Sequence, residues 1–265
     1  MKIVHLHGFK CAGSTFSWVL QKLYGEKLLY VESKNGNARL SWDVMTSNID
    51  ISSYSAITSH TLEYPSAYLD DIFFVEFVRN PYDRILSAYR FQKKVGQIAP
   101  TTEFISYLAA HRGTTRENYM TRRLSPQTFD DLNLWSISDD YVPIQADNLF
   151  VGSVELFDES LLLLEDLFKE KFQVDIDLAY PAAQNVSSKS SSSEIIPEVD
   201  DKLLASIINR DLILSRKVNS LILNSIVNKP DFSDRLSGFH DRCRSLKNSG
   251  SCDVKLKTNS EWIKL

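Results

Sequence analysis

The 265 residues can hold one large α/β domain or two small ones, and with 43% of them hydrophobic there is ample material for a core either way. A formal net charge of −4 argues against a generally nucleic-acid-binding surface, so any anionic ligand has to be met by local basic groups. Three cysteines (Cys11, Cys243 and Cys252) without a C-x-x-C spacing suggest neither a disulfide framework nor a zinc site, and no apolar run reaches the roughly 18 residues of a membrane span. Met1 leads straight into a strand with no room for a signal peptide, so a soluble, cytoplasmic protein is expected.

In chain order, Lys2–His7 alternates and then runs apolar, as a short buried strand does. A loop from Gly8 to Gly13 follows. From Ser14 the spacing is helical, with Phe16, Val19, Leu20 and Leu23 on one face and Gly25 as the stop. Strand, glycine-bounded loop and helix start make an anion cradle, because the loop amides and the first helix amides converge and the macrodipole favours negative charge. Gly8, Gly13 and Thr15 fit the P-loop frame G-x-x-x-x-G-K-[ST], yet Ser14 stands in the lysine's place and Lys10 lies inside the loop. A nucleotide triphosphatase or ATP kinase needs that missing lysine, and a tight βα turn without a ligand has the same outline.

Leu28–Glu32 reads as a second strand, Ser33 to Asp50 as irregular structure, and Tyr54–Ser59 as a third strand ending at His60. Ile72–Val78 is a run of β-formers. After it, Asn80 suits an N-cap, Pro81 the first helical position and Asp83 the positive helix end, with the helix continuing to about Lys94. Arg79 therefore lies at the carboxyl end of a central strand, where open α/β sheets bind ligands, and Ser87 follows on the same helix face as Asn80 and Arg84. Arg79 could equally pair with a carboxylate, and His60 taken alone could be a packing residue. The cradle, His60 and Arg79 all fall at strand carboxyl ends, and two separate anion sites suit a nucleotide with phosphates at both ends.

Thr102–His111 and Glu117–Leu124 read as helices, with Arg112, Arg116, Arg122 and Arg123 either a solvated basic face or an acceptor contact. Trp135 to Tyr141 is loop-like, Leu149–Val154 a strand, and Asp158 caps a helix through Lys171. Ser187–Ser193, containing Lys189, reads as a linker, and Glu198 to Val227 as a long amphipathic helix ended by Pro230. The tail from Asp231 carries no readable signal.

HLHGFKCAGSTF and FFVEFVRNPYDRILSAYRF resemble the two nucleotide-binding motifs of the sulfotransferases that use 3′-phosphoadenosine 5′-phosphosulfate (PAPS). They are most similar to the carbohydrate, heparan 2-O-sulfotransferase-like branch, with first motif H-x-P-K-T-A-G-T-S and second R-[ND]-P-x-x-R-x-x-S-x-Y. Asn118–Leu124, Asn148–Glu155, Phe157–Leu161, Asn185–Ser187 and Asn209–Asp211 echo the same branch, so that the resemblance runs from residue 1 to about 227.

The resemblance implies a P-loop-like three-layer α/β sandwich with a central, mainly parallel sheet flanked by helices. Residues 1–230 would form the sulfotransferase domain and 231–265 an extension packed on it. Lys10, Cys11, Ala12, Gly13, Ser14 and Thr15 would hold the 5′-phosphosulfate, and Arg79 and Ser87 the 3′-phosphate, Arg79 as a bidentate fork. His60 matches the branch's catalytic base, with Glu32 or Glu63 next in line, and Lys10 would meet charge on the leaving phosphate. The expected reaction is in-line sulfuryl transfer to an acceptor hydroxyl of a glycan or glycoside, leaving adenosine 3′,5′-bisphosphate, with no metal and no nucleic-acid partner. Phe9, Cys11 and Met120 depart from the branch, which has proline, threonine and glutamine there. The alternatives are a P-loop-like ATP kinase and a non-catalytic sulfotransferase-like binding protein. A cysteine phosphatase fails because Ser17 stands where C-x5-R needs arginine.

Overall fold

The structure is a computed structural model describing residues 1–35, 39–65, 68–114, 116–125, 147–181, 200–249 and 254–265. Six parallel strands form one sheet: β1 Lys2–Leu6, β2 Leu28–Glu32, β3 Ala56–Ser59, β4 Ile72–Val78, β5 Leu149–Ser153 and β6 Ile263–Lys264, in the order β5-β4-β1-β3-β2-β6. Every residue of β2, β3 and β4 is buried, as expected of strands covered on both faces. The fold is the expected α/β sandwich, a central parallel sheet flanked by helices.

β1 pairs with β3 on one side (Leu6↔Ser59) and with β4 on the other (Leu6↔Glu76). The chain runs from β1 outward to β2, returns to β3, and then crosses β1 to β4 and β5. Strand order thus reverses at β1, and in open α/β sheets the crevice outside the carboxyl ends of such strands, here β1, β3 and β4, is where ligands bind.

The helices are α1 Gly13–Tyr24, α2 Trp42–Asn48, α3 Pro81–Lys94, α4 Phe104–Ala109, α5 Tyr119–Leu124, α6 Phe157–Phe172, α7 Asp201–Val227 and α8 Phe232–Asn248. As the sequence predicts, α1 stops at Gly25 (φ 52°), and Asn80 Oδ1 caps α3 by accepting from the amides of Tyr82 (3.0 Å) and Asp83 (3.3 Å). The main core packs around the sheet, and a smaller one joins Ile85, Leu108 and Ile207 of α3, α4 and α7. Among the described residues no helix is long and apolar enough to cross a membrane.

Two expectations are corrected. The segment Ser33–Asp50 contains α2, capped by Ser41 Oγ on the Val44 amide (3.1 Å); with Met45 its only buried residue, it shows no apolar stripe. Asp158 is not the cap of α6, which begins one residue earlier; its carboxylate takes the Tyr180 hydroxyl (2.7 Å) and His240 (3.0 Å). The tail from Asp231 forms α8, held on α6 by Phe239 and by ion pairs of Arg235 with Asp166 and Arg242 with Glu165 (2.8 Å). It also forms β6, which adds to β2 through Val31↔Ile263 and Glu32↔Lys264. Trp135–Tyr141, Asn185–Ser187, Lys189, Glu198 and Cys252 lie outside the described residues.

Candidate functional site

The loop between β1 and α1 is built for close approach. Lys10 (φ 65°) and Ala12 (φ 57°) both adopt the left-handed conformation, which costs an L residue roughly 1–2 kcal/mol and concentrates at functional sites. Gly13 is required sterically, since a Cβ there would lie 1.9 Å from His7 Cδ2; one at Gly8 would lie 2.9 Å from Glu76 Oε1. Three amides are used internally: Phe9 donates to Tyr119 Oη (3.0 Å), Cys11 to the Gly8 carbonyl (3.1 Å) and Thr15 to the Ala12 carbonyl (2.9 Å). Those of Lys10, Ala12 and Gly13 meet no acceptor among the described residues. α1 has no side-chain cap and no acid in its first turn, so its positive end is uncompensated. Ser14 is half-buried and Thr15 buried at that end. Burial pushes the Cys11 thiol up to about 12, so it stays protonated and offers no nucleophile.

Cations gather beside this helix end. Arg79, half-buried at the end of β4, donates from Nη1 to the Lys10 carbonyl (3.3 Å), and its amide meets Met120 Sδ (3.3 Å). The Lys10 ammonium sits 4.7 Å from the Phe91 ring centre. Burial, then Arg79 and Lys94, hold Lys10 below its ordinary pKa. Neither Lys10 nor Arg79 has an acidic partner among the described residues. Ser87 is half-buried on α3, and its hydroxyl makes no side-chain hydrogen bond among the described residues.

His60 lies just beyond β3 in a column of rings. It stacks on His7 (4.0 Å between centres, 28° between planes) and on Trp262 (4.6 Å, 24°), while His7 stacks on His5 (5.1 Å). Ser17 Oγ reaches His5 Nδ1 (3.3 Å) and His7 Nδ1 (3.4 Å) below the column. His60 Nδ1 is buried, lacks a hydrogen bond and lies 3.5 Å from Glu32 Oε1, whose other oxygen pairs with Lys264. Burial, seconded by Arg123 and Lys264, lowers His60 to about 3, so the imidazole is neutral at pH 7. Glu63, the other carboxylate considered, is committed to Arg39 at 2.6 Å.

The cradle, Arg79 and His60 thus lie at the carboxyl ends of the neighbouring strands β1, β4 and β3. A family model described as Sulfotransferase family matches residues 1–140. The chain belongs to the sulfotransferase family. It is also similar, at 27% identity over 193 residues, to an uncharacterized protein of Archaeoglobus fulgidus, covering 64% of this chain and 74% of that one.

In this sulfotransferase α5 braces all three parts of the crevice. Tyr119 holds the loop at Phe9 and Met120 holds Arg79, while the Arg123 guanidinium donates to Glu76 Oε1 (3.1 Å) and to the His60 carbonyl. Arg123 is therefore a buried strut rather than part of a solvated face, whereas Arg112 and Arg116 are exposed. α5 is fixed in turn by Asp211 of α7, which accepts from the amides of Met120 (3.2 Å) and Thr121 (2.8 Å) and from Thr121 Oγ1 (2.9 Å). Trp262 and Lys264 were not legible as site residues. They sit in a tail with no periodicity, and only the pairing of β6 with β2 brings them to the crevice.

Proposed function

We propose that this sulfotransferase moves the sulfuryl group of PAPS to an acceptor hydroxyl, with a carbohydrate or glycoside as the acceptor class. The observation that carries the reading is the uncapped end of α1 beside Lys10 and Arg79, cations without acidic partners among the described residues: an anion site in charge, hydrogen-bonding capacity and position. PAPS supplies an activated sulfuryl group carried on a phosphate leaving group. Lys10 and the Cys11–Thr15 segment would hold the 5′-phosphosulfate, chiefly through the Lys10, Ala12 and Gly13 amides, the Cys11 amide being turned to the Gly8 carbonyl. Arg79 and Ser87 would hold the 3′-phosphate. Lys10 and the helix end would meet the charge that grows on the leaving oxygen, so the reading calls for no metal.

His60 is the proposed base. Its Nδ1 faces Glu32, which leaves Nε2 to take the acceptor's proton. Arg123 and Lys264 depress its basicity, and an anion in the cradle offsets them. The carbohydrate class rests on the likeness of both motifs to the carbohydrate branch.

The test is binding followed by transfer. At 100 times its Kd, adenosine 3′,5′-bisphosphate is expected to stabilise the fold by about 2.7 kcal/mol, roughly 5–10 °C in Tm. Arg79→Ala is expected to weaken that binding roughly 10–100-fold. With radiolabelled PAPS and a panel of glycosides, His60→Ala should lose turnover while keeping bisphosphate affinity. Stabilisation by ATP–Mg²⁺ and not by the bisphosphate would overturn the reading in favour of a kinase. Bisphosphate binding with no transfer to any acceptor would favour a non-catalytic binding protein.

A further inference from the structure

We propose that Trp262 is a positioning residue of the transfer site: its indole stacks on the His60 imidazole and clamps it in place beside His7, and β6, which follows it directly, sets Lys264 on Glu32. The inference rests on the proposed role of His60.

A histidine just past a strand end, with about a quarter of its side chain exposed, would ordinarily exchange rotamers. Here two rings stack on it, His7 at 4.0 Å and Trp262 at 4.6 Å, each within 30° of parallel, and His7 and Trp262 are themselves 6.3 Å apart. The indole is itself held from behind, by the Tyr30 ring at 5.2 Å and by its N–H donated to the Lys257 carbonyl (3.2 Å). Its strand is fixed at the carboxyl end of β2, where the Leu265 amide donates to the Glu32 carbonyl (2.9 Å). The ring is therefore held by two stacked neighbours, and the indole that makes one of them is itself fixed.

The same strand governs the ring's charge environment. The groups facing His60 are His7 from the end of β1, Arg123 from α5, Glu32 from β2, and Lys264 from β6 beside Trp262. Lys264 anchors one Glu32 oxygen and leaves the other 3.5 Å from His60 Nδ1. That arrangement favours the tautomer with its proton on Nδ1 and the Nε2 lone pair outward. Trp262 also supplies much of the apolar cover that keeps the ring uncharged.

The test uses the full chain with Trp262→Ala, Trp262→Leu and Trp262→Phe, reading imidazole titration by NMR, bisphosphate affinity and the pH profile of turnover. In Trp262→Ala the His60 midpoint should rise toward the ordinary value of about 6.5, carrying the acid limb of the rate profile with it. Turnover should fall roughly 10–100-fold while bisphosphate affinity changes less than about threefold. Phe should restore most of the rate. Should Ala fail to fold, Leu keeps the apolar cover but not the flat face, and the same split between turnover and affinity is expected. A folded Ala or Leu variant with wild-type titration and turnover overturns the proposal. Failure of the wild type to bind bisphosphate would instead overturn the sulfotransfer reading, and the titration would still decide the clamp.

Discussion

Gly13 shows how a single hydrogen can hold a site open. A methyl at this position would lie 1.9 Å from His7 Cδ2 and 2.3 Å from Nε2, and His7 has little room to retreat because His5 and His60 both stack on it. Gly13→Ala is therefore an overpacking change, costing about 1–3 kcal/mol, and Tm should fall by roughly 2–10 °C. The histidine column has to open in response, so His60 should become titratable above pH 5 and bisphosphate affinity should drop with it. Unchanged melting and an unchanged His60 titration in the variant would contradict the packing argument. Cys11 makes the opposite point. Its side chain is a sealed, protonated thiol, so Cys11→Ser touches no nucleophile and bears on the cradle only through the buried space it occupies.

At the scale of elements, α5 is the brace on which loop, Arg79 and His60 all depend, and Asp211 is what fixes α5. Asp211→Ala leaves the Met120 and Thr121 amides without their buried acceptor, at a cost of roughly 1–3 kcal/mol. Bisphosphate affinity should weaken as well, because Tyr119 and Met120 lose register with the loop and with Arg79. Ile222→Val, buried farther along α7, should cost about 0.5–1.5 kcal/mol and leave affinity alone, which separates bracing from bulk stability. β4 and α3 were readable because a seven-residue apolar run meets an Asn-Pro start, signals that are local in sequence. α8 and β6 were not readable. α8 is joined to α6 largely by ion pairs, so its apolar stripe is thin, and β6 is two residues whose partner strand is more than 230 positions away. The cradle, Arg79 and His60 were visible as candidates because each follows a strand directly. Arg123 and Trp262 were not, since burial on Glu76 and stacking on His60 arise only from the assembled sheet.

For the molecule as a whole, the buried histidines set a pH limit. Burial lowers His5 and His7 well below their ordinary value, His60 to about 3 and His111 to about 4, so the fold holds all four neutral. Unfolded, each takes up a proton near pH 6.5, so their stabilisation is complete above that pH and is lost as the pH falls toward the folded values. Glu76, raised to about 7 by burial, and Asp211, also raised by burial, act in the opposite sense, because the folded chain keeps their protons longer. The four histidines outnumber the two carboxylates, so below pH 6.5 the unfolded chain binds more protons and stability falls with pH. Between pH 7.5 and 5 the urea-unfolding free energy should therefore fall, each unopposed histidine contributing roughly 1.4 kcal/mol per pH unit. His7→Phe, which keeps a flat ring in the column and removes one titrating group, should make that slope shallower by about 1.4 kcal/mol per pH unit. A stability maximum below pH 5.5 would show that these rings are hydrated and charged in the folded chain. Adenosine 3′,5′-bisphosphate should flatten the acid limb, because anionic charge in the cradle favours the protonated form of His60 in the folded state alone.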